Sequence, residues 1–207
     1  MSLPQPPLLL VTDRTQTRLP LGRVVERALA AGCRWVSLRE KDLRDVEQVV
    51  LAAVLRPLTH LVAARLTLHG SPALAKAAGA DGVHLPSGSD AHAARAAFGP
   101  AGLVGMSVHS VAEAAELDPD LVDYAVAGPA FATASKPGYG PLLGPAGIAA
   151  VSRASKVPII AIGGVEAANV AEILDAGASG VAVMGGVMRS PEPENEVKRL
   201  LAALRAR

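Results

Sequence analysis

The chain has 207 residues, half of them hydrophobic, with 20 Lys and Arg against 19 Asp and Glu. That length suits one domain with a large core, and balanced charge with only 2% aromatic residues argues against a nucleic-acid surface of basic patches and stacking rings. The lone Cys33 cannot form an intramolecular disulfide, and with neither a charged-then-apolar leader nor an apolar run of about eighteen residues the expected setting is the cytoplasm, with no membrane partner.

After a Pro-rich start, Leu8 to Thr12 reads as an apolar strand ending in Asp13, followed by a polar loop from Arg14 to Pro20. Leu21 to Ala31 is expected as a helix stopped by Gly32, then a strand from Trp35 to Leu38 and the charged turn Arg39, Glu40, Lys41. The next helix runs from about Arg44 to Leu55 and is expected to stop before Pro57, because proline lacks the N–H that an interior turn needs. Leu66 to Leu68 is a weaker strand ending in His69-Gly70, Pro72 to Ala78 a short helix, and Gly82 to Leu85 the fourth strand. Asp90 to Phe98 is helical, and Val104 to Val108 is a strand ending in His109. Ser110 can cap a helix through Leu117, with Glu113 at the capping-box position. Tyr124 to Ala127 is the sixth strand, the long Gly128 to Gly144 loop follows, and Pro145 to Ala154 is a helix. Ile159 to Ile162 and Val181 to Met184 read as buried strands, each closed by a diglycine, with a helix from Glu166 to Ala176 between them and another from about Glu194 to Ala206 at the end.

Eight strand-then-helix units predict an α/β fold, a single-domain (β/α)8 TIM barrel over residues 1–207. The junctions at Ala31-Gly32, Ala78-Gly79 and Ala176-Gly177 repeat one pattern, a helix C-cap leading into a strand. An open Rossmann-type sheet is the alternative, disfavoured because no G-x-G-x-x-G follows the first strand and polar residues finish nearly every strand.

In a barrel the C-terminal strand ends converge on one site. They would bring together Asp13, Ser37, Arg39, Lys41, His69, Ser107, His109, Thr133, Ser135 and Lys136. Arg39 and Lys41 alternate with Leu38 and Glu40, so both can face one anion. Lys136 lies with Thr133 and Ser135 in a Gly/Pro-rich loop able to close over a ligand. Gly163-Gly164 and Gly185-Gly186 end consecutive strands and would leave backbone N–H groups open to a phosphate, unless they serve only as tight turns. His109, between a strand and a helix, is the catalytic candidate, because an imidazole near its ordinary pKa suits proton transfer at neutral pH. His69 could face it, His84 reads as a packed core residue, and His60 and His92 as surface residues. No His, Asp and Glu cluster has ligand spacing, so no metal is expected, with Asp13 and Asp90 the only plausible carboxylates.

The runs LLLVTD (Leu8 to Asp13), VSLREKD (Val36 to Asp42), GADGVHL (Gly79 to Leu85), GMSVHS (Gly105 to Ser110), GPAFATASK (Gly128 to Lys136), AIGGV (Ala161 to Val165) and GVAVMGGV (Gly180 to Val187) resemble the thiamine-phosphate synthase and TenI superfamily, in order along nearly the whole chain. The resemblance implies a (β/α)8 barrel with a thiazole phosphate on the backbone of Gly164, Met184 and Gly185, beside Gly163 and Gly186. It also implies a choice between two chemistries. The synthases carry Gln-x-Arg-x-Lys after the second strand and Asn-Asp after the third, the Asp helping to bind Mg2+; here Ser37 precedes Arg39 and Lys41, and His69-Gly70 replaces the second pair. A second Mg2+ carboxylate is expected shortly after the fourth strand, where PSGSD is shortened and offers Asp90.

The retained SVHS run matches the TenI branch, so the expectation is a cofactor-free thiazole tautomerase, an isomerase in which His109 moves the proton, Arg39 or Lys41 holds the carboxylate and the glycines hold the phosphate. The alternative is a thiamine-phosphate synthase, which couples hydroxymethylpyrimidine diphosphate to thiazole phosphate with Mg2+ and with Arg39, Lys41 and Lys136 on the pyrophosphate. A second alternative is a non-catalytic regulator or carrier that binds a thiazole phosphate. Every reading has a small phosphorylated thiazole as partner, and Ala- and Leu-rich outer helices leave a homo-oligomer open.

Overall fold

Strand pairing runs round the molecule without a break in the computed structural model, which describes residues 3–135, 138 and 140–206. β1 (Leu8–Val11) pairs in parallel with β2 (Trp35–Leu38), and parallel pairing continues through β3 (Arg65–His69), β4 (Gly82–Leu85), β5 (Leu103–Val108) and β6 (Tyr124–Ala127). It then passes through β7 (Ile159–Ile162) to β8 (Gly180–Val183), which returns to β1. The closed eight-stranded barrel is the expected one, and closure removes the open-sheet alternative. Helices α1 (Leu21–Ala30), α2 (Asp45–Leu61), α3 (Pro72–Ala77), α4 (Ala91–Phe98), α5 (Val111–Ala115), α6 (Gly144–Ala154) and α7 (Val170–Asp175) follow successive strands, and α8 (Gly185–Met188) and α9 (Pro193–Arg205) follow β8.

Strand alternation divides the core into two layers. Leu8, Leu10, Val36, Leu38, Leu66 and Leu68 face outward and pack beneath the helices, which is why the strands read as continuous apolar runs. Leu9, Trp35, Leu103, Tyr124, Val126 and Ile160 face inward and plug the barrel. Trp35 and Tyr124 meet edge to face with ring centroids 4.6 Å apart. The Tyr124 ring occupies the place a Cβ on Gly105 would take, so this glycine makes room in the plug.

Three elements differ from expectation. α2 runs through Pro57 to Leu61, because Gln48, Ala52, Leu55 and Thr59 form a buried stripe at helical spacing that continues past an exposed proline. The packing of that stripe outweighs an interior proline's cost of about 3 kcal/mol. α7 starts only at Val170, after Asn169 has accepted a hydrogen bond from the Glu166 amide. β8 ends at Val183, and Gly185-Gly186 opens the helix α8 where a turn was expected.

Candidate active site

Above the Trp35–Tyr124 plug the inward positions turn polar. Ser37, His69, His84 and Ser107 continue the inward alternation of β2 to β5 and line a cavity of about 360 Å3 at the C-terminal end of the barrel. That is large enough for small-molecule substrates. Arg39, Lys41, His69, Ser107, His109, Thr133, Ser135, Gly163, Gly164, Met184, Gly185 and Gly186 all border it, whereas Asp13, expected with them, does not line it and accepts from Thr15 and Gln16. Lys136 lies outside the described residues.

The loop after β2 is set by alternation continued beyond the strand. The Arg39 amide donates to the buried Thr12 hydroxyl at 2.9 Å, tying the end of β2 to β1. Glu40 turns away from the cavity and accepts the Arg14 amide at 3.0 Å, with burial pushing its carboxyl pKa up. Arg39 and Lys41 are thereby left on the cavity side. Partial burial, then the neighbouring Arg39 charge, hold the Lys41 ammonium below its ordinary pKa. An anion between them would relieve that repulsion.

His84 is buried and hydrogen-bonded as expected, yet it also forms the cavity floor. Its Nδ1 lies 3.3 Å from the Tyr124 hydroxyl and its Nε2 3.0 Å from Ser107 Oγ. Burial, then the charges of His69 and Arg39, push its pKa down to about 3, so the ring is neutral at physiological pH. His69 stacks on His84 with centroids 5.2 Å apart, where facing His109 was the expectation. The reason is register: His69 and His84 are partners on adjacent strands. His60 and His92 are exposed, as expected.

His109 sits on the rim with Nδ1 3.0 Å from the Gly128 carbonyl. A carbonyl only accepts, so Nδ1 carries a proton. Glu113 accepts the His109 amide at 2.8 Å while Ser110 Oγ accepts the Glu113 amide at 3.2 Å. The expected capping box is therefore present but displaced by one residue.

The diglycines do two jobs. At Gly163 (φ 97°) and Gly164 (φ 62°) the left-handed backbone admits the loop after β6, and Cβ atoms there would strike Pro129 and Phe131. Their lack of side chains thus serves loop docking, fixed by Ala130 and Phe131 amides on the Ile162 and Gly163 carbonyls at 2.8 and 2.9 Å. Gly186 faces open space, and as the first two residues of α8 Gly185 and Gly186 have N–H groups without intrahelical acceptors. Sequence reasoning missed Arg189, whose side chain reaches back over Gly185 and lines the cavity.

Mg2+ takes oxygen donors, commonly one or two carboxylates beside substrate phosphates. The carboxylates around this mouth are committed elsewhere: Asp13 accepts from Thr15 and Gln16, Asp90 caps α4, and Glu113 accepts from Ser87 and His109. Glu166 is the one carboxylate among the described lining residues, and it follows β7, away from Arg39 and Lys41 on β2. No group of three His, Cys, Asp or Glu among the described residues could hold a metal ion. The donor set does not fit a Mg2+ site beside the two cations.

With this geometry in hand, comparison with known proteins is decisive at family level: the family described as "Thiamine monophosphate synthase" matches residues 8–187. The chain belongs to the thiamine monophosphate synthase family. A Geobacter sulfurreducens protein, provisionally named a thiamine-phosphate synthase, is 41% identical over 199 residues, covering 95% of this chain and 93% of its own. The thiamine-phosphate synthase of Chlorobium luteolum is 36% identical, with 99% of this chain and 96% of that protein covered. Among solved structures, the thiamine phosphate pyrophosphorylase of Pyrococcus furiosus superposes with TM-score 0.84 at 28% identity, covering 96% of this chain and 95% of that one.

These relatives overturn the tautomerase expectation, and with it the isomerase class, since their names carry the synthase activity. That expectation rests on Ser37, His69 and Gly70 standing where the synthases carry Gln, Asn and Asp, and on the SVHS run, and the relatives' names outweigh both. In the fold Ser37 and His69 remain part of the same cavity wall as Arg39 and Ser107, and His109 is tied to the Gly128 carbonyl at its rim. Among the described residues no helix is long and apolar enough to cross a membrane.

Proposed function

We propose that this chain is a thiamine-phosphate synthase, joining hydroxymethylpyrimidine diphosphate to thiazole phosphate with release of pyrophosphate. The observation that carries the reading is one cavity with two walls suited to anions, Arg39 and Lys41 after β2 and the backbone at Gly185 and Gly186 after β8. Two phosphorylated substrates need two such walls. A thiazole tautomerase would fill the same two places with the carboxylate and the phosphate of one substrate, so the preference for the synthase is supported by the relatives, whose names carry that activity.

In the reaction the bond between the pyrimidine methylene carbon and the diphosphate oxygen breaks, its electron pair leaves with pyrophosphate, and the thiazole nitrogen forms the new bond to that carbon. Arg39 and Lys41 donate to the leaving oxygens, whose negative charge grows as the bond breaks. His84 and Ser107 form the wall for the pyrimidine ring. Because burial keeps His84 neutral, no imidazolium repels the positive charge that develops on the methylene carbon. Met184 and the diglycine N–H groups take the thiazole phosphate, Thr133 and Ser135 border it, and His109 stands at the rim. Mg2+ attends this chemistry in the reading that the resemblance supplies, but no step here is routed through it because the donor set does not fit.

The test is direct coupling: purified protein with both substrates, with and without Mg2+, should yield equal amounts of thiamine phosphate and pyrophosphate. Binding of both substrates without product would replace the synthase reading with a carrier.

A further inference from the structure

Four residues after Gly185, one turn of α8 returns the chain over its own start, and the Arg189 amide donates to the Gly185 carbonyl at 3.0 Å. The Arg189 guanidinium consequently lies across Gly185, its Cζ 2.7 Å from where a Cβ on that glycine would stand. Its Nη1 donates to Ser135 Oγ at 3.0 Å and to Gln16 Oε1. Ser135 Oγ in turn donates to Gln16 Oε1 at 3.0 Å, and Gln16 Nε2 to Asp13 Oδ2 at 2.6 Å. Both acceptors of Arg189 are neutral, and no ion pair joins it to a carboxylate among the described residues. A guanidinium has five donors in a planar fork, and here the described partners all sit on one nitrogen. A cation without a counter-ion, at the rim of a cavity beside the N–H groups of Gly185 and Gly186, has the charge and geometry for a phosphate.

We propose that Arg189 is a side-chain ligand for a phosphate monoester at the β8 end of the cavity, held between Gln16 and Ser135 until that phosphate arrives. The exchange is favourable because a phosphate supplies the opposite charge that Gln16 and Ser135 lack and can accept from two nitrogens of the fork at once. Under the synthase reading, on which the identity of this ligand rests, the phosphate is that of the thiazole. The small residue at Gly185 has a second purpose here: a side chain would take the place of the guanidinium.

Calorimetric titration with thiazole phosphate, its dephosphorylated alcohol and inorganic phosphate tests the assignment in wild type, Arg189→Met, which keeps an apolar stem, and Gln16→Leu. Arg189→Met should weaken both phosphate ligands about tenfold and leave the alcohol unchanged. Gln16→Leu should bind them at least as tightly as wild type, because it removes only the resting partner. Unchanged phosphate binding in Arg189→Met, or an equal loss for the alcohol, overturns the role of Arg189, as does a Gln16→Leu loss matching that of Arg189→Met. Arg189-dependent binding of inorganic phosphate by a protein that ignores thiazole phosphate upholds the site and overturns the thiazole reading.

Discussion

His84 and Ser107 face each other across β4 and β5, with Nε2 3.0 Å from Oγ, while the opposite nitrogen of the same ring lies 3.3 Å from the Tyr124 hydroxyl. The ring joins the apolar plug below to the cavity above. His84→Phe keeps an aromatic ring, slightly enlarged, but strips Ser107 and the buried Tyr124 hydroxyl of a partner. Denaturant unfolding of that variant should show a loss of about 1–3 kcal/mol. An unchanged midpoint would mean that the two hydroxyls find equivalent partners without the imidazole.

The same ring sets an acid limb. Its folded pKa of about 3 lies below the ordinary 6.5, so the unfolded chain takes up the proton first. Stability contributed by the neutral ring is complete above about pH 6.5 and is lost as pH falls toward 3, with a slope of at most about 1.4 kcal/mol per pH unit. Other groups nearby also titrate. Burial pushes Asp13 up, but hydrogen bonds from Thr15 and Gln16 outweigh it and lower its pKa, adding loss at the acid end; Glu40, raised by burial, works in the opposite sense. Comparing wild type with His84→Phe cancels both. The variant should lose stability less steeply between pH 6.5 and 4, and parallel curves would refute the assignment of the limb to His84.

Glycine contacts separate two roles that one motif suggests. A Cβ at Gly164, where φ is 62°, would meet Phe131 Cβ at 2.8 Å and the Ala132 carbonyl, whereas a Cβ at Gly186 meets nothing within 4 Å. Gly164→Ala should therefore cost about 2–4 kcal/mol, combining left-handed strain with overpacking. Gly186→Ala should stay within about 0.5 kcal/mol of wild type. Thermal unfolding of the pair checks this, and similar losses at both positions would show that the docked loop yields easily.

The barrel was legible because eight apolar runs, each ended by a polar residue or a glycine, recur with helices between them. The mouth was legible where alternation carries past a strand, as at Arg39 and Lys41. His84 was placed in the core because the sequence does not show how high on the barrel a strand position sits. Its alternation with Val83 and Leu85 nonetheless marks it as inward, in register with His69. Arg189 stayed hidden for a conformational reason: read as a turn, Gly185-Gly186 sends the chain away, and only a helical turn of four residues brings Arg189 back over Gly185. Gly163 and Gly164 border the cavity, but the room left by their missing side chains is taken by the loop after β6, a long-range contact that leaves no local signal. The proline in α2 misled for the same reason, since the buried stripe against which its cost is set belongs to the tertiary fold.

The last prediction concerns the wall after β2. Arg39 and Lys41 share one side of the loop because Glu40 is drawn to the Arg14 amide, and Lys41 is destabilised as a cation by burial and then by Arg39. A diphosphate bound between them gains from both charges, with Arg39 able to bind it in fork geometry. Arg39→Ala should weaken pyrophosphate binding about tenfold or more, and should lower coupling turnover as well, because the leaving group carries more charge in the transition state than in the substrate. Lys41→Ala should show a smaller loss, since an ammonium is a point charge and lacks the two-pronged geometry of the guanidinium. Affinity for thiazole phosphate, placed after β8 with β1 between it and β2, should change less than threefold in either variant. Parallel losses for both ligands would mean that the cavity holds one anion site, and the two-substrate reading would fall with it.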